Sequence, residues 1–427
     1  MREMKDSGIA WVGTMPADWN VKRGKFTLKL LNRPLEETDD VITCFREGEV
    51  TLRKNRRTEG FTVSLKEIGY QGIEPGDLVI HGMDGFAGSI GISDSRGKSS
   101  PVLVVCDSDE NKRFIMYYLR SMAYNDVFTA LATGIRVRSC DLRWNKLAEL
   151  PYILPNIQEQ EKIVHAIESR TEKVNALITN VQSQIEKLKA YKLSMITEIV
   201  TKGLDTTVPM RDSGIEWIGY IPEQWNVTKA RRIISSTQNG ITRRDLAESK
   251  GQIVLKLKNI SADGNIDYSY INRIELTEKE LSAYALQEGD FLFVRVNGSK
   301  SLVGKCAIYA DNGEVTAYND HIIRVRINDL CSKEFFHYYL LSIAGKTEIE
   351  HHTSTSAGQF TISGEGLRDI WLVLPPLDIQ KQLCCFLDHK CMEIDRLIAI
   401  KQAKIEKLEQ YKKSLIYEYV TGKKEVS

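Results

Sequence analysis

The chain repeats its own ends, and this duplication limits the folds that it can adopt more than any other feature. Residues 4–21 (MKDSGIAWVGTMPADWNV) return at 210–227 (MRDSGIEWIGYIPEQWNV) with eleven of eighteen positions identical. Residues 185–201 and 405–421 match at eleven of seventeen positions, whereas the residues between these matched ends differ. The sequence therefore predicts one unit written twice, and a pseudo-symmetric molecule that carries two unlike binding sites at a fixed separation.

Composition favours packed domains over a disordered or membrane-spanning chain. Of the 427 residues, 42% are hydrophobic and 8% are aromatic, which suits globular cores. No apolar run approaches the roughly 18 residues that a membrane span needs, and residues 1–10 lack the apolar region of a signal peptide. The eight cysteines form no CxxC pair, as expected of reduced thiols. We therefore expect a cytoplasmic protein with no membrane partner, while the net charge of +1 neither supports nor excludes DNA binding.

Four residues of metal-binding type lie close together in the sequence, namely Cys384, Cys385, His389 and Cys391. A structural zinc site needs ligands that converge tetrahedrally. Cys384 and Cys391 instead lie seven residues apart on the apolar seam of a helical pattern. We interpret the cluster as core thiols and predict neither a metal nor a cofactor.

Each half of the chain is predicted to begin with a mixed α/β (α+β) domain, the first at residues 1–155 and the second at 208–376. Short apolar runs bounded by turn residues predict the strands. In each domain a Gly-Asp turn precedes one strand, LVIHGM at 78–83 and FLFVRV at 291–296. Further strands are predicted at 88–93, 101–106, 253–260, 305–309 and 321–327, and helices at about 111–125 and 332–344.

A long helical pattern follows each domain, at residues 156–207 and 377–427. Apolar residues recur alternately every three and four positions along 164–199 and again along 384–419, which is a heptad seam that needs a partner helix. Because both seams occur in one chain, we favour an intramolecular antiparallel coiled coil. A zipper between two copies of the chain is the alternative. The predicted architecture is thus two domains in pseudo-two-fold repeat, joined by two long helices.

Motifs of the common catalytic sites are absent from the sequence. It contains no GxxxxGKS/T phosphate loop, no GxGxxG after a strand, no HExxH and no GxSxG elbow. LPPL at 374–377 matches only part of the Asn/Asp-Pro-Pro-aromatic loop of adenine methyltransferases, since both the leading polar residue and the aromatic are missing. We therefore predict a binding protein and not an enzyme.

Polar and basic residues next to the predicted strands supply the groups that read base pairs. Arginine pairs bidentately with guanine, and asparagine or glutamine pairs with adenine. The candidates in the first domain are Arg53, Lys54, Asn55, Arg56, Arg57, His81, Asp84, Arg136 and Arg138. Those in the second are Arg243, Arg244, Lys258, Asn259, Arg295, Asn297, Lys300, His351, His352, Thr353 and Gln359. Any one of them fits a solvated surface equally well, so the prediction rests on the collection.

The repeated segments resemble the specificity subunits of type I restriction-modification systems, over essentially the whole chain. The resemblance is carried by the DSGIxWxGxxPxxWNV openings, by the helix start LPNIQEQ at 154–160, and by the two IEKLxxYKxSxIxE helices. The second helix start departs from this pattern, because Ile379 stands where the first has Glu159.

This resemblance implies a function and a set of partners. Each domain would be a target recognition domain that reads one half of a bipartite asymmetric site in double-stranded DNA. The coiled coil would set the spacing and dock two DNA-methyltransferase (modification) subunits, and motor-nuclease (restriction) subunits would join for cleavage. The alternative from another class is a structural coiled-coil adaptor whose globular units bind proteins. A single-chain methyltransferase-nuclease would need catalytic motifs that this sequence lacks.

Overall fold

The computed structural model describes residues 2–56, 67–130, 142–242, 250–261, 264–356 and 358–426. The chain forms two compact units: unit 1 comprises residues 1–182 and 401–427, and unit 2 comprises residues 183–400. Each unit combines short strands with helices, so the predicted α+β class is confirmed. Within the described ranges, no helix is long and apolar enough to cross a membrane.

The strands and helices of unit 1 follow one another in this order: β1 (Met4–Asp6), β2 (Thr14–Pro16), β3 (Asn20–Arg23), β4 (Lys29–Leu30), β5 (Ile42–Cys44), β6 (Val50–Leu52), β7 (Gln71–Ile73), β8 (Leu78–His81), β9 (Ile90–Ile92), β10 (Gly97–Ser99), β11 (Leu103–Asp107), α1 (Lys112–Tyr124), α2 (Val127–Ala130), α3 (Trp144–Glu149) and β12 (Pro151–Leu154). Helix α4 (Ile157–Lys202) begins in unit 1 and ends in unit 2.

Unit 2 continues with a comparable order: β13 (Met210–Asp212), β14 (Tyr220–Pro222), β15 (Asn226–Lys229), β16 (Ile234–Asn239), β17 (Gln252–Leu255), β18 (Arg273–Ile274), α5 (Glu278–Tyr284), β19 (Phe291–Val294), β20 (Val296–Asn297), β21 (Cys306–Ile308), β22 (Thr316–Tyr318), β23 (Ile322–Ile327), α6 (Lys333–Leu341), α7 (Ile343–His351), β24 (Ser354–Ser356), β25 (Gln359–Thr361), α8 (Gly364–Asp369) and β26 (Trp371–Leu374). Helix α9 (Leu377–Val420) begins in unit 2 and ends in unit 1.

The two units have the same antiparallel central sheet, with strand order β4-β11-β8-β9 in unit 1 and β16-β23-β19-β21 in unit 2. A buried aspartate stabilises the turn before the third strand of each sheet. Asp77 accepts from the backbone N–H of Glu74 at 2.8 Å and pairs with Arg33. Asp290 accepts from the backbone N–H of Gln287 at 2.9 Å and from Arg326 at 2.6 Å. A buried carboxylate needs such partners, which explains why the Gly-Asp turn occurs at the same place in both units, as predicted.

A buried tyrosine of the domain helix ties that helix to the last strand of each domain. The hydroxyl of Tyr118 in α1 donates to the carbonyl of Pro151 at 2.8 Å. The hydroxyl of Tyr339 in α6 donates to the carbonyl of Trp371 at 2.7 Å. Both rings are fully buried, so the same contact closes the core of each unit.

The repeated opening segments cover the ends of the long helices. In unit 1, Trp19 is 1% exposed and lies against Gly422, which follows α9. In unit 2, Trp225 lies in the same way against Gly203, which follows α4. Both glycines have a positive φ, at 71° and 83°, and a Cβ there would lie 3.1 Å from the tryptophan ring. Each unit therefore contains the same contact between the repeated tryptophan and the glycine that follows a long helix.

The two long helices run in opposite directions where they meet within each unit. In unit 1, the guanidinium of Arg170 lies 5.4 Å from the ring centroid of Tyr419, and Asn175 accepts from Lys412 at 2.8 Å. As the residue number rises along α4, that of its partner on α9 falls. In unit 2, Lys192 pairs with Asp395 at 2.7 Å. In the repeat, Lys192 corresponds to Lys412 and Asp395 to Asn175, so the two units make the equivalent contact.

The predicted seam positions, 164–199 on α4 and 384–419 on α9, are buried or half-buried, as the heptad pattern predicts. Helix α4 has 46 residues and α9 has 44. At 1.5 Å per residue, each is about 65–70 Å long.

A buried glutamine joins the start of each long helix to its domain. The amide of Gln160 accepts from the backbone N–H of Asn111, the N-cap of α1, at 2.9 Å, and donates to the carbonyl of Pro155 at 2.9 Å. In unit 2, Gln380 accepts from the N–H of Ser332, the N-cap of α6, at 2.8 Å, and donates to Pro375 at 2.8 Å. Both side chains are completely buried. Since a lost partner would leave buried polar groups unsatisfied, this contact fixes the domain on its helix.

The structure differs from four local expectations. The strand predicted at 291–296 is divided at Arg295, since β19 ends at Val294 and β20, in another sheet, begins at Val296. The strand predicted at 253–260 ends at Leu255, and the 3-10 turn Leu257–Asn259 follows it. The helix predicted at 332–344 is divided at Ser342, whose hydroxyl caps the next helix by accepting from the N–H of Gly345 at 3.1 Å. Cys384 and Cys391 are core thiols as expected, but Cys385 is exposed.

Burial raises the pKa of the Cys384 thiol to about 12, so this sulfur stays protonated at neutral pH. Within the part of the chain that the structure describes, no group of three His, Cys, Asp or Glu side chains is placed to hold a metal ion.

Candidate nucleic-acid interface

Two lysines and a histidine face one cavity of about 490 Å³ in unit 2. Its lining consists of Thr242, Lys256, Leu257, Lys258, Asn319, Asp320 and His321. The ammonium group of Lys256 donates to the side-chain carbonyl of Asn272 at 3.1 Å, and that of Lys258 lies 5.0 Å from the ring centroid of Tyr270. Because these partners are neutral, neither contact cancels the positive charge of its lysine. The carboxylate of Asp320 also lines the cavity, so the two lysines leave an excess of one positive charge there.

Asn259 has a structural role beside this cavity. The side chain is 1% exposed. Its oxygen accepts from the N–H of Lys256 at 2.8 Å, and its amide donates to the carbonyls of Asp267 at 2.8 Å and Tyr270 at 2.9 Å. With these groups engaged, the structure assigns Asn259 to the 3-10 turn rather than to a surface that a base could reach.

The three-stranded sheet β20-β25-β24 begins with β20, which follows β19 directly after Arg295. The backbone N–H of Arg295 donates to the carbonyl of His321 at 2.8 Å, which links the sheet to the cavity wall. Asn297 is paired with Phe360 in the sheet, and its side-chain oxygen accepts from the N–H of Ser299 at 2.9 Å. Gln359 is exposed on β25, and its side chain lies on the face opposite to that of Phe360 because side chains alternate along a strand. Arg295 is thus bound through its backbone to His321 of the cavity wall, Asn297 follows it two residues along the chain, and the side chain of Gln359 lies on the opposite face of the sheet from that of Asn297.

We call Lys256, Lys258, Arg295, Asn297 and His321 the basic surface of unit 2. Sequence reasoning missed His321, although a signal was present. The polar triplet Asn319-Asp320-His321 separates two buried strands, TAY at 316–318 and IIRVRI at 322–327. A polar turn between two core strands lies at the protein surface, where it can contact a ligand.

The predicted residues at the end of α7 are engaged within the unit. The ring of His351 lies 4.3 Å from that of Trp217, His352 lies 3.7 Å from Glu348, and the hydroxyl of Thr353 donates to the carbonyl of Ile349 at 2.7 Å. Nearby, Lys300 pairs with Glu350 at 3.3 Å. These contacts hold α7 against the repeated opening segment rather than present it to a ligand.

Glu348 is the centre of that attachment and was not identified from sequence. Its carboxylate is 1% exposed and accepts from the indole N–H of Trp217 at 2.8 Å and from the backbone N–H of Trp371 at 2.9 Å. The repeated tryptophan was a signal for it, since a buried indole N–H needs an acceptor. The acceptor itself lies 131 residues away in sequence.

In unit 1 the basic run after β6 is bound to its own hairpin. Arg53 donates to the hydroxyl of Thr43 at 3.3 Å, Lys54 to Asp40 at 2.5 Å, Asn55 to Thr51 at 2.8 Å and Arg56 to Glu49 at 2.8 Å. The side chains of Lys54 and Arg56 are still 65% and 37% exposed. Exposed ion pairs of this kind contribute about 0–1 kcal/mol, so they can exchange partners when an anion approaches.

His81 and Asp84 form a turn beside this hairpin. Burial lowers the pKa of His81 below its ordinary value, so the ring is neutral at pH 7. Its Nδ1 then accepts from the backbone N–H groups of Met83 at 3.3 Å and Asp84 at 3.0 Å. The carboxylate of Asp84 pairs with Arg46 at 3.3 Å. His81 therefore shapes the turn, and Arg46 is a basic neighbour that sequence reasoning did not select.

Five predicted contact residues, Arg57, Arg136, Arg138, Arg243 and Arg244, lie outside the described residues.

Similarity to known proteins identifies this arrangement. Residues 241–410 match the family model described as the type I restriction modification DNA specificity domain. The chain is also 25% identical over 272 residues to the StySPI specificity subunit of a type I restriction enzyme from Salmonella potsdam, covering 63% of this chain and 56% of that protein. The predicted resemblance to type I specificity subunits is therefore confirmed.

Other relatives extend the similarity to both halves of the chain. The MjaVIII type I specificity subunit of Methanocaldococcus jannaschii is 24% identical over 421 residues, covering 96% of this chain and 93% of that protein. With the StySPI subunit, by contrast, the match spans little more than half of the relative's length. A solved structure titled as the basis of complex assembly and conformational transition of the type I R-M system has the same fold, with a TM-score of 0.69 at 14% identity, covering 96% of this chain and 99% of that one.

The two starts of the long helices differ chemically, as the departure at Ile379 predicts. In unit 1, Glu159 accepts from the indole N–H of Trp19 at 3.3 Å and pairs with Arg2. In unit 2, Ile379 and Trp225 line an apolar groove of about 340 Å³. The corresponding positions therefore carry a carboxylate in unit 1 and an apolar side chain in unit 2.

Proposed function

We propose that this chain is the DNA sequence-specificity subunit of a type I restriction-modification complex and has no catalytic activity of its own. One observation supports the proposal: the two units share the same framework of internal contacts but have different surfaces. Both units have the same sheet order, the same glutamine contact and the same Trp–Gly contact, yet their polar loops differ. A frame of this kind suits an asymmetric DNA site with two unlike half-sites, as symmetric dimers suit palindromes.

In this proposal, residues 1–155 and 208–376 are the two target recognition domains, related by a pseudo-two-fold axis. The long helices at 156–207 and 377–427 form one intramolecular antiparallel coiled coil, which sets the distance between the half-sites. The antiparallel contacts within each unit support it. Two DNA-methyltransferase subunits dock on this frame, and motor-nuclease subunits join for restriction. The protein works on double-stranded DNA in the cytoplasm, where its unpaired thiols stay reduced.

The function is tested by supplying the partners one at a time. We expect the purified chain with S-adenosylmethionine to leave DNA unmethylated, because the sequence lacks methyltransferase motifs. The chain together with its modification subunits should methylate one bipartite motif, read by modification-sensitive sequencing. The control is the same modification subunits without the chain. Methylation by the chain alone would refute the non-catalytic role. Equal methylation with and without the chain would favour the adaptor function.

The basic surface of unit 2 is the proposed reading surface for one half-site, with Arg295 as the side chain suited to guanine. We expect Arg295→Ala to weaken binding to the selected site by about 1–3 kcal/mol and to relax preference at one base position. The matched control is Arg273→Ala, since Arg273 already pairs with Glu314 at 2.8 Å. Binding is measured on a set of duplexes that each change one base pair. An equal loss on all of them would instead identify a phosphate contact.

The other predicted contact residues are proposed to approach DNA as a group. They are Arg53, Lys54, Asn55, Arg56, Arg57, Asp84, Arg136 and Arg138 in the first domain, and Arg243, Arg244 and Gln359 in the second. The engaged side chains of His81 in the first domain and of Asn259, Lys300, His351, His352 and Thr353 in the second are proposed to support the fold.

A further inference from the structure

A second basic cavity in unit 2 shares no lining residue with the cavity at Lys256 and Lys258. A cavity of about 350 Å³ between β21 and α7 is lined by Lys300, Lys305, Lys346, Glu350 and four aliphatic side chains, with Gly264, Gly304, Ser301 and Cys306 completing the wall. Its three lysines and single glutamate give the cavity a formal charge of +2. Lys300 and Glu350 pair with each other at 3.3 Å. The excess positive charge therefore belongs to Lys305 and Lys346.

Among the described residues, neither Lys305 nor Lys346 has a carboxylate within ion-pair distance. Partial burial and, next, the positive charge of Lys305 lower the pKa of Lys346, although part of its side chain remains exposed. Two ammonium groups that repel each other across a cavity are unfavourable in the unbound protein. An anion between them would relieve this repulsion, which makes the cavity a candidate anion site.

The other residues that line the cavity limit the kinds of anion that fit it. Its floor is aliphatic, formed by Val303, Leu340, Leu341 and Ile349. A small inorganic ion would not use such a floor, whereas the C–H face of a deoxyribose would pack on it. The cavity also adjoins the proposed reading surface, because residues 297–300 connect Asn297 to Lys300 along the chain. The ligand chemistry that fits is a sugar-phosphate unit of a nucleic-acid backbone.

We propose that Lys305 and Lys346 bind one backbone phosphate of the DNA, with the adjacent deoxyribose on the aliphatic floor. The inference rests on the proposed function and adds a sequence-independent contact to it. Phosphate contacts fix the position of a protein on the duplex, whereas base contacts select the sequence. The site thus positions the half-site against Arg295 and Asn297.

The test measures DNA binding of the full chain with its modification subunits as a function of salt concentration. Each neutralised phosphate contributes about 0.9 to the slope of log K against log salt. That slope is negative, and we expect the Lys305→Gln, Lys346→Gln double variant to reduce its magnitude by about 1 and to weaken binding by the same factor on every sequence. Lys305→Arg, Lys346→Arg should restore most of the slope. The matched control is Lys390→Gln, since Lys390 pairs with Glu393 at 2.8 Å.

A second arm locates the phosphate. Neutral methylphosphonates are placed one at a time along the half-site read by unit 2, and one of them should weaken the wild-type complex several-fold but leave the double variant unchanged. Wild-type binding with an unchanged slope in the double variant overturns the inference while the proposed function stands. A loss confined to one base sequence also overturns it. No site-selective binding by the wild-type complex would refute the proposed function itself.

Discussion

Exchange of residues 24–150 for the matching segment of a related type I specificity subunit is expected to replace one half of the selected DNA sequence and to leave the other half intact. The exchanged segment begins and ends next to the pairing of strands β3 and β12. Strand β3 pairs with β12 so that Arg23 lies opposite Pro151, and the N–H of Gly24 donates to the carbonyl of Leu150 at 2.9 Å. The two ends of the exchanged segment are therefore adjacent in unit 1.

The frame contacts that hold the domain survive this exchange. Trp19, Gly422 and Gln160 lie outside the segment. From the segment, Gln160 needs a backbone N–H, now that of Asn111 at 2.9 Å, and an acceptor, now the carboxylate of Glu110 at 2.7 Å. Methylation mapping of a strain that carries the chimera and the modification subunits reads both half-sites at once. The reciprocal exchange in unit 2, between β15 and β26, is the control and should change the other half. A chimera that alters both half-sites together would show that the units do not read independently.

The frame was predictable because its signals are local or repeated. The heptad seam follows from a spacing within each helix, and its positions are buried as predicted. The division of the helix at Ser342 was not predictable from spacing, because a serine inside a helical pattern fits both the interior and an N-cap. In the structure its hydroxyl accepts from the N–H of Gly345, and the N-cap conformation prevails.

The candidate site was only partly predictable, for a different reason. A polar side chain has the same identity in sequence whether it completes a turn or faces a ligand. Asn259 and Lys258 are neighbours, yet Asn259 is buried with its polar groups engaged, while Lys258 is exposed over Tyr270. The partner of both, Tyr270, lies 11 residues from Asn259 and 12 from Lys258, and for Trp217 and Glu348 the separation is 131 residues. Such pairings become visible only in three dimensions.

Removal of one heptad from each long helix is expected to shorten the DNA spacer by about three base pairs without changing either half-site. The contacts between the two long helices within each unit determine which residues are deleted. Asn175 meets Lys412 and Lys192 meets Asp395, and the residue numbers of each pair add up to 587. Within unit 1, that register places residues 174–180 of α4 opposite residues 407–413 of α9. Deleting these two segments together keeps every remaining pair in phase, because seven residues is the repeat of the seam.

The size of the effect follows from helix and duplex geometry. Seven residues correspond to about 10.5 Å of helix at 1.5 Å per residue, and a base pair to about 3.4 Å of duplex. A rod that lies along the DNA thus changes the spacer by about three base pairs, and a tilted rod changes it by less. A deletion of seven residues from α4 alone is the control, since it breaks the register and should abolish methylation. Methylation mapping decides the question. An active complex with an unchanged spacer after the paired deletion would mean that the recognition domains, and not the helices, set the separation of the half-sites.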